Sequence, residues 1–105
     1  MIDSIEALEA IYGLPHDRAV RKQIGFLNED YQAMVRLSPL VIVSSVGGDG
    51  LDNSPRGDKA GFVRIIDQNT LALPDRPGNN RIDTLRNVLH DPRVSLLLLD
   101  RKSVV

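Results

Sequence analysis

Apolar positions along this chain follow two rhythms. Ile5, Leu8 and Ile11 or Tyr12 recur at three- and four-residue steps, which predicts a short amphipathic helix over 3–12. Asp3 is placed to cap it, with Glu6 three positions on as in a capping box. Gly13 and Pro15 then stop it. Val20, Ile24, Leu27, Tyr31, Met34 and Val35 keep the helical step over 16–37, with a break near 25–29 where Gly25 and Asn28 interrupt it. Ser38-Pro39 closes the helical part, because a residue before proline avoids the α conformation. From there the pattern shortens to strand length. Leu40–Val46 and Leu51–Ser54 flank Gly47-Gly48-Asp49-Gly50 and predict a hairpin. Gly61–Ile66 and Thr70–Leu73 flank Asp67-Gln68-Asn69 and predict a second pair. Ile82, Leu85, Val88 and Leu89 return to the helical step, with Asn80 as cap and Asp83 three residues later, until Asp91-Pro92 breaks it. Val94–Leu99 is an unbroken apolar run of the kind buried on both faces of a sheet.

Helices, then short hairpin-linked strands, then one helix and one strand make an α+β chain, mainly β, with antiparallel strands rather than a repeating βαβ unit. At 105 residues it is a single domain, 1–105, with a helical N-terminal segment 1–37 and strands plus one helix over 38–100. The apolar strand 94–99, left at an edge, invites pairing with another chain.

Composition removes several function classes. The net charge of −1 and an aromatic content of 4% lack the basic stripe and stacking platforms of a nucleic-acid binder. The absence of cysteine excludes disulfides, thiolate metal sites and a cysteine nucleophile, and is compatible with a reducing cytoplasm. The acidic start is no secretory signal, and the longest apolar run is far too short to cross a bilayer. His16 and His90 stand alone, with no metal-ligand spacing. Ser44, Ser45 and Ser54 lack a nucleophile-elbow context, so no catalytic side chain is evident and any chemistry falls to a cofactor.

Two segments carry recognisable chemistry. Leu73-Pro74-Asp75-Arg76-Pro77-Gly78-Asn79-Asn80-Arg81 sets arginines and asparagines on a Pro/Gly turn directly before a helix. Backbone N–H groups at a helix start favour an anion, and guanidinium forks match phosphate oxygens. The same residues also read as a strand-to-helix turn with solvated arginines. Ser54-Pro55-Arg56-Gly57-Asp58 is either a kinked strand end that presents donors to a flat ring or a plain turn between strands.

Together with Gly61-Phe62-Val63-Arg64 and Asp91-Pro92-Arg93-Val94, these segments resemble the pyridoxamine 5′-phosphate oxidase-like, FMN-binding split-barrel family, over about residues 20–99. The resemblance implies a split β-barrel and FMN held at a homodimer interface. It implies that Ser54, Pro55 and Arg56 meet the flavin ring and phosphate, that Leu73, Pro74 and Asp75 form the next flavin-facing strand end, and that Arg76, Asn79, Asn80 and Arg81 close over the phosphate. It implies a flavin-dependent oxidoreductase of unknown substrate, and the composition argues for no metal, nucleic-acid or membrane partner. Relatives that hold deazaflavin or haem leave a non-catalytic binding module open, and an inactive truncated dimer is the third reading. Members of the family continue past the apolar strand, whereas this chain ends at Val105. The expectation is therefore a barrel incomplete in this chain, with the C-terminal part of the family domain absent.

Overall fold

The computed structural model describes residues 2–14, 23–75 and 81–100, except for the side chain of Arg81. The first helix, α1, spans Ile5–Tyr12. Its cap is Ser4 rather than Asp3: the Ser4 hydroxyl accepts from Ala7 N–H at 3.1 Å, at the third helical position. Gly13 ends it at φ 74°, its N–H donating to the Glu9 carbonyl. No residue of α1 is buried, so Ile5, Leu8 and Ile11 form an apolar stripe facing solvent.

The second helix, α2, covers Glu29–Leu37, only the end of the expected helical stretch. Asn28 acts as its cap rather than as a flaw inside it, since its side chain accepts from Tyr31 N–H at 2.9 Å. The segment before it is tied to the second hairpin: Leu27 N–H donates to the Gln68 carbonyl, and the Asn69 amide donates to the Gly25 carbonyl. Residues 15–22, with His16, lie outside the described residues.

Among the described residues five strands form two antiparallel sheets and no closed barrel. In the first, β1 (Leu40–Gly47) lies between β2 (Gly50–Gly57) and β5 (Val94–Leu99). In the second, β3 (Arg64–Asp67) pairs with β4 (Thr70–Ala72). Both hairpins turn where the sequence puts them. Two expectations are corrected. The strand predicted to end at Ser54 runs on through Pro55 to Gly57. Proline has no N–H to give a ladder, but among the described strands β2 lies at the edge, where a residue opposite Ile42 can leave one side unbonded. The apolar strand 94–99 is not buried on both faces: it pairs with β1 alone among the described strands, and Leu97 is 55% exposed.

Register fixes which residues share a face. Opposite residues of paired strands point the same way, and neighbours along a strand alternate. Val41, Val43 and Ser45 of β1 therefore share one face with Arg56, Ser54 and Asp52 of β2 and with Leu98, Leu96 and Val94 of β5. This inner face carries the core: Val41 and Val43 pack with Val35 of α2 and Val63, flanked by Phe62, Ile65, Leu71, Leu73, Leu96 and Leu98. The outer face holds Leu40, Ile42, Leu51, Pro55, Leu97 and Leu99. Among the described residues four valines are buried, a small core with little packing to lose.

The third helix, α3 (Arg81–His90), rests on β1 and touches β2. Thr84 is buried, and one turn on the Asn87 amide donates to the buried Ser45 hydroxyl at 3.0 Å. The turn into β5 is held by Asp91. Its carboxylate accepts from Arg93 N–H and pairs with the Arg93 guanidinium at 2.7 Å, which draws its pKa down to about 2.

Candidate functional site

The site grows from the corner where α2 meets the first sheet. Ser38 is fully buried, with its hydroxyl donating to the Met34 carbonyl at 2.6 Å. Two backbone bonds then fasten the segment after β2 to this corner: Asp58 N–H donates to the Pro39 carbonyl at 3.0 Å, and Gly61 N–H to the Ser38 carbonyl at 3.3 Å. Phe62 N–H closes a β-turn onto the Lys59 carbonyl, and the Asp58 carboxylate accepts from Lys59 N–H. Gly61 stands third in that turn at φ 80°, the position where a type II turn requires a positive φ.

A side chain at Gly61 would also press on the backbone of α2, since its Cβ would lie 3.1 Å from the Arg36 carbonyl oxygen. Gly61→Ala should therefore cost about 1–2 kcal/mol, the usual penalty of a left-handed conformation, read as a lower urea midpoint at unchanged slope. An alanine variant with the wild-type midpoint would show that the turn relaxes freely.

This turn forms one wall of a concavity of about 570 Å³, completed by Arg64 at the start of β3 and by Ala72, Leu73 and Pro74 at the end of β4. Arg64 lies opposite Ala72 in the β3–β4 register, which puts the two on one face.

The expected site residues are distributed as follows. Ser54 is buried on the inner face opposite Val43. Pro55 is exposed on the outer face, so the two neighbours do not present to the same side. Arg56 returns to the inner face, half-buried and opposite the fully buried Val41. Leu73 and Pro74 are half-buried and line the concavity, and Leu73 also packs on the core. Asp75 follows them, exposed. Arg81 is the first residue of α3. Arg76, Asn79 and Asn80 lie outside the described residues.

Arg56 carries the clearest chemical signal. Its Nε is completely buried and has no hydrogen-bond partner among the described residues. An N–H of a cationic group that is removed from water and left without an acceptor costs free energy, on the order of 1–3 kcal/mol or more. Native chains place such groups where an acceptor from a ligand relieves the cost. Arg56 thus suits an anionic oxygen, and with the polar Ser54 beside it on the inner face the donor set fits a phosphate.

Lys59, Phe62 and Arg64 also belong to this region, and the sequence did not single them out. The signal was Gly61-Phe62-Val63-Arg64 itself: Val63 is buried and Arg64 exposed, as alternation requires. Asn87 and Thr84, which seat α3, were likewise not foreseen. Among the described residues no group of three or more His, Cys, Asp or Glu is placed to hold a metal ion, and no helix is long and apolar enough to cross a membrane.

An open, mainly antiparallel α+β arrangement with a basic residue held on its inner face is of the split-barrel class. The family model described as pyridoxamine 5′-phosphate oxidase matches residues 27–105, well over half the chain, and the chain belongs to that family. The family is in general one of FMN-binding split barrels, commonly dimeric. Comparison with curated proteins and with solved structures gave no match.

Proposed function

We propose that this protein binds FMN and works as a flavin-dependent oxidoreductase, and that it does so as a homodimer with the flavin at the subunit interface. The observation that carries this reading is the buried, unpartnered Nε of Arg56 on the inner face beside Ser54. Membership of an FMN-binding family supports it. In this reading Arg56 and Arg81 are the phosphate ligands, with Arg76, Asn79 and Asn80 closing over them. Ser54 lies along the ring edge on the face it shares with Arg56, Pro55 between them contributes backbone only, and Leu73, Pro74 and Asp75 form the neighbouring wall. Bound there, FMN would supply hydride or electron transfer. The chain's own residues bind and orient it, and Leu73 and Pro74 limit water at the ring; none acts as an acid or base. The apolar outer face, with Ile42, Leu97 and Leu99 flanked by Leu51 at 84% exposure, supports pairing of two subunits.

The test is the visible spectrum of the purified protein before and after incubation with FMN and desalting. A retained flavin band is expected, on a species that sediments as a dimer. Colourless protein after desalting defeats the reading. Steady oxidation of a reduced nicotinamide by the loaded protein marks an enzyme, and loaded protein that oxidises none is a carrier or sensor.

A further inference from the structure

Helix α3 is seated on β1 by polar side chains and turns its apolar stripe outward. Thr84 is buried and Asn87 bonds to the buried Ser45 hydroxyl, whereas Ile82, Leu85 and Leu89 are exposed, Leu89 by 88%. A helix that packs on a sheet alone buries its apolar side and leaves the polar one in water, so this stripe calls for a second surface. The chain carries one that matches. In α1, Ile5, Leu8 and Tyr12 are exposed at the same steps of three and four that separate Ile82, Leu85 and Leu89. Helix α1 has 8 residues, none of them buried, and isolated helices below about 12–15 residues are marginal in water, so it lacks the packing that would hold it. Charge is complementary as well. Residues 2–14 carry Asp3, Glu6 and Glu9 and no cation. Arg86 borders the α3 stripe, exposed and without a hydrogen-bond or ion-pair partner among the described residues.

We propose that α1 of one copy docks on α3 of a second copy, stripe against stripe and antiparallel. Glu9 follows Leu8 and Arg86 follows Leu85, so each charge stands one residue after the middle of its stripe. Antiparallel helices bring such positions side by side, and parallel ones do not. A second copy is the occupant because within one chain the two stripes stay uncovered. The radius of gyration is 16.7 Å, against about 13 Å for a compact domain of this length, in line with a helix held off the body. Leu27 is fastened to Gln68, and residues 13–26 before it can span up to about 46 Å, enough to cross the 29 Å thickness of the molecule. Asn87 meets Ser45 on the inner face of the first sheet, so this contact is separate from the outer face assigned to subunit pairing and stands without the flavin reading. Because α3 begins at Arg81, the docked helix braces the element that follows the proposed phosphate segment.

The chain has no cysteine, so single-cysteine variants of the whole chain report single contacts. Leu8→Cys and Leu85→Cys are prepared separately, the second with a size tag, then mixed and treated with a short bismaleimide. Both side chains are exposed, so neither variant loses buried packing. The mixed cross-linked species should exceed that from Ala10→Cys with Leu85→Cys at least about fivefold, because Ala10 lies on the opposite side of α1. Adding Glu9→Arg to the Leu8→Cys chain should lower the yield about two- to fivefold, and adding Arg86→Glu to its partner should restore it. Equal yields with Ala10→Cys overturn the proposal. So does an excess of the product joining two Leu8→Cys chains, which would pair α1 with itself. Cross-linking within one chain that bears both cysteines, at high dilution, gives the α3 stripe to its own α1 and overturns the second copy. A reversed charge pair that restores nothing overturns the antiparallel docking.

Discussion

Arg56→Met should make the ligand-free protein no less stable, or more stable by up to about 1 kcal/mol, while weakening FMN by about 10- to 100-fold. The two effects have one cause. The Arg56 Nε is buried without an acceptor, so the folded chain bears its desolvation with no compensating bond. Methionine keeps the apolar stem against the inner face and removes the polar atom, which relieves that cost. A phosphate oxygen would supply the missing acceptor, and a charge-assisted bond of that kind contributes about 1.5–3 kcal/mol. Stability and function are therefore opposed at this residue, as expected of a group kept for binding. Urea unfolding of the ligand-free protein and FMN titration followed by fluorescence read the two halves separately. Wild-type FMN affinity in the methionine variant would remove Arg56 from the site. A variant much less stable without ligand would mean that the guanidinium serves the fold.

The first hairpin was legible because its turn residues and its flanking β-rich runs point to the same structure, and β1 and β2 meet with Gly48 and Asp49 at the turn. The limits lay where a residue's meaning depends on its neighbours in space. Pro55 reads as a strand end by its missing donor, but the order β2-β1-β5 makes its strand an edge, where that donor is not needed. Val94–Leu99 reads as doubly buried because Leu is apolar at every step from 96 to 99. Only Leu96 and Leu98 face the core, and Leu97 lies on the uncovered side. Asp3 and Ser4 are both good caps, and one residue of register decides between them. The site shows the same division. Arg56 was singled out from its motif, because a guanidinium beside Ser and Pro at a strand end is itself suggestive, and its role stays a proposal. Lys59 and Arg64 were not, because single charges carry no information until a turn at Gly61 brings them to one wall.

Gly47→Ala should cost about 1–3 kcal/mol, and nearly all of it should vanish as a separate effect once Asn87 is also replaced. A Cβ on Gly47 would fall onto the Asn87 side chain, overlapping Oδ1 and reaching Cγ at 2.9 Å. Asn87 can swing aside, but only by giving up its bond to the Ser45 hydroxyl, which is 2% exposed and would be left without that donor. The price is one buried hydrogen bond, whether it is broken by adding a methyl to β1 or by cutting back Asn87. Gly47→Ala and Asn87→Ala should thus shift the urea midpoint by similar amounts, and the double variant by little more than either. The consequence reaches the proposed phosphate segment, since α3 begins at Arg81 and the Asn87–Ser45 bond ties this helix to β1. Both single variants should release FMN faster than wild type, although neither residue is placed against the ligand. Strictly additive midpoints would separate Gly47 from Asn87 and leave the seating of α3 to its other contacts, the buried Thr84 among them. Additive midpoints with unchanged FMN release would also break the link drawn here from β1 through α3 to the flavin.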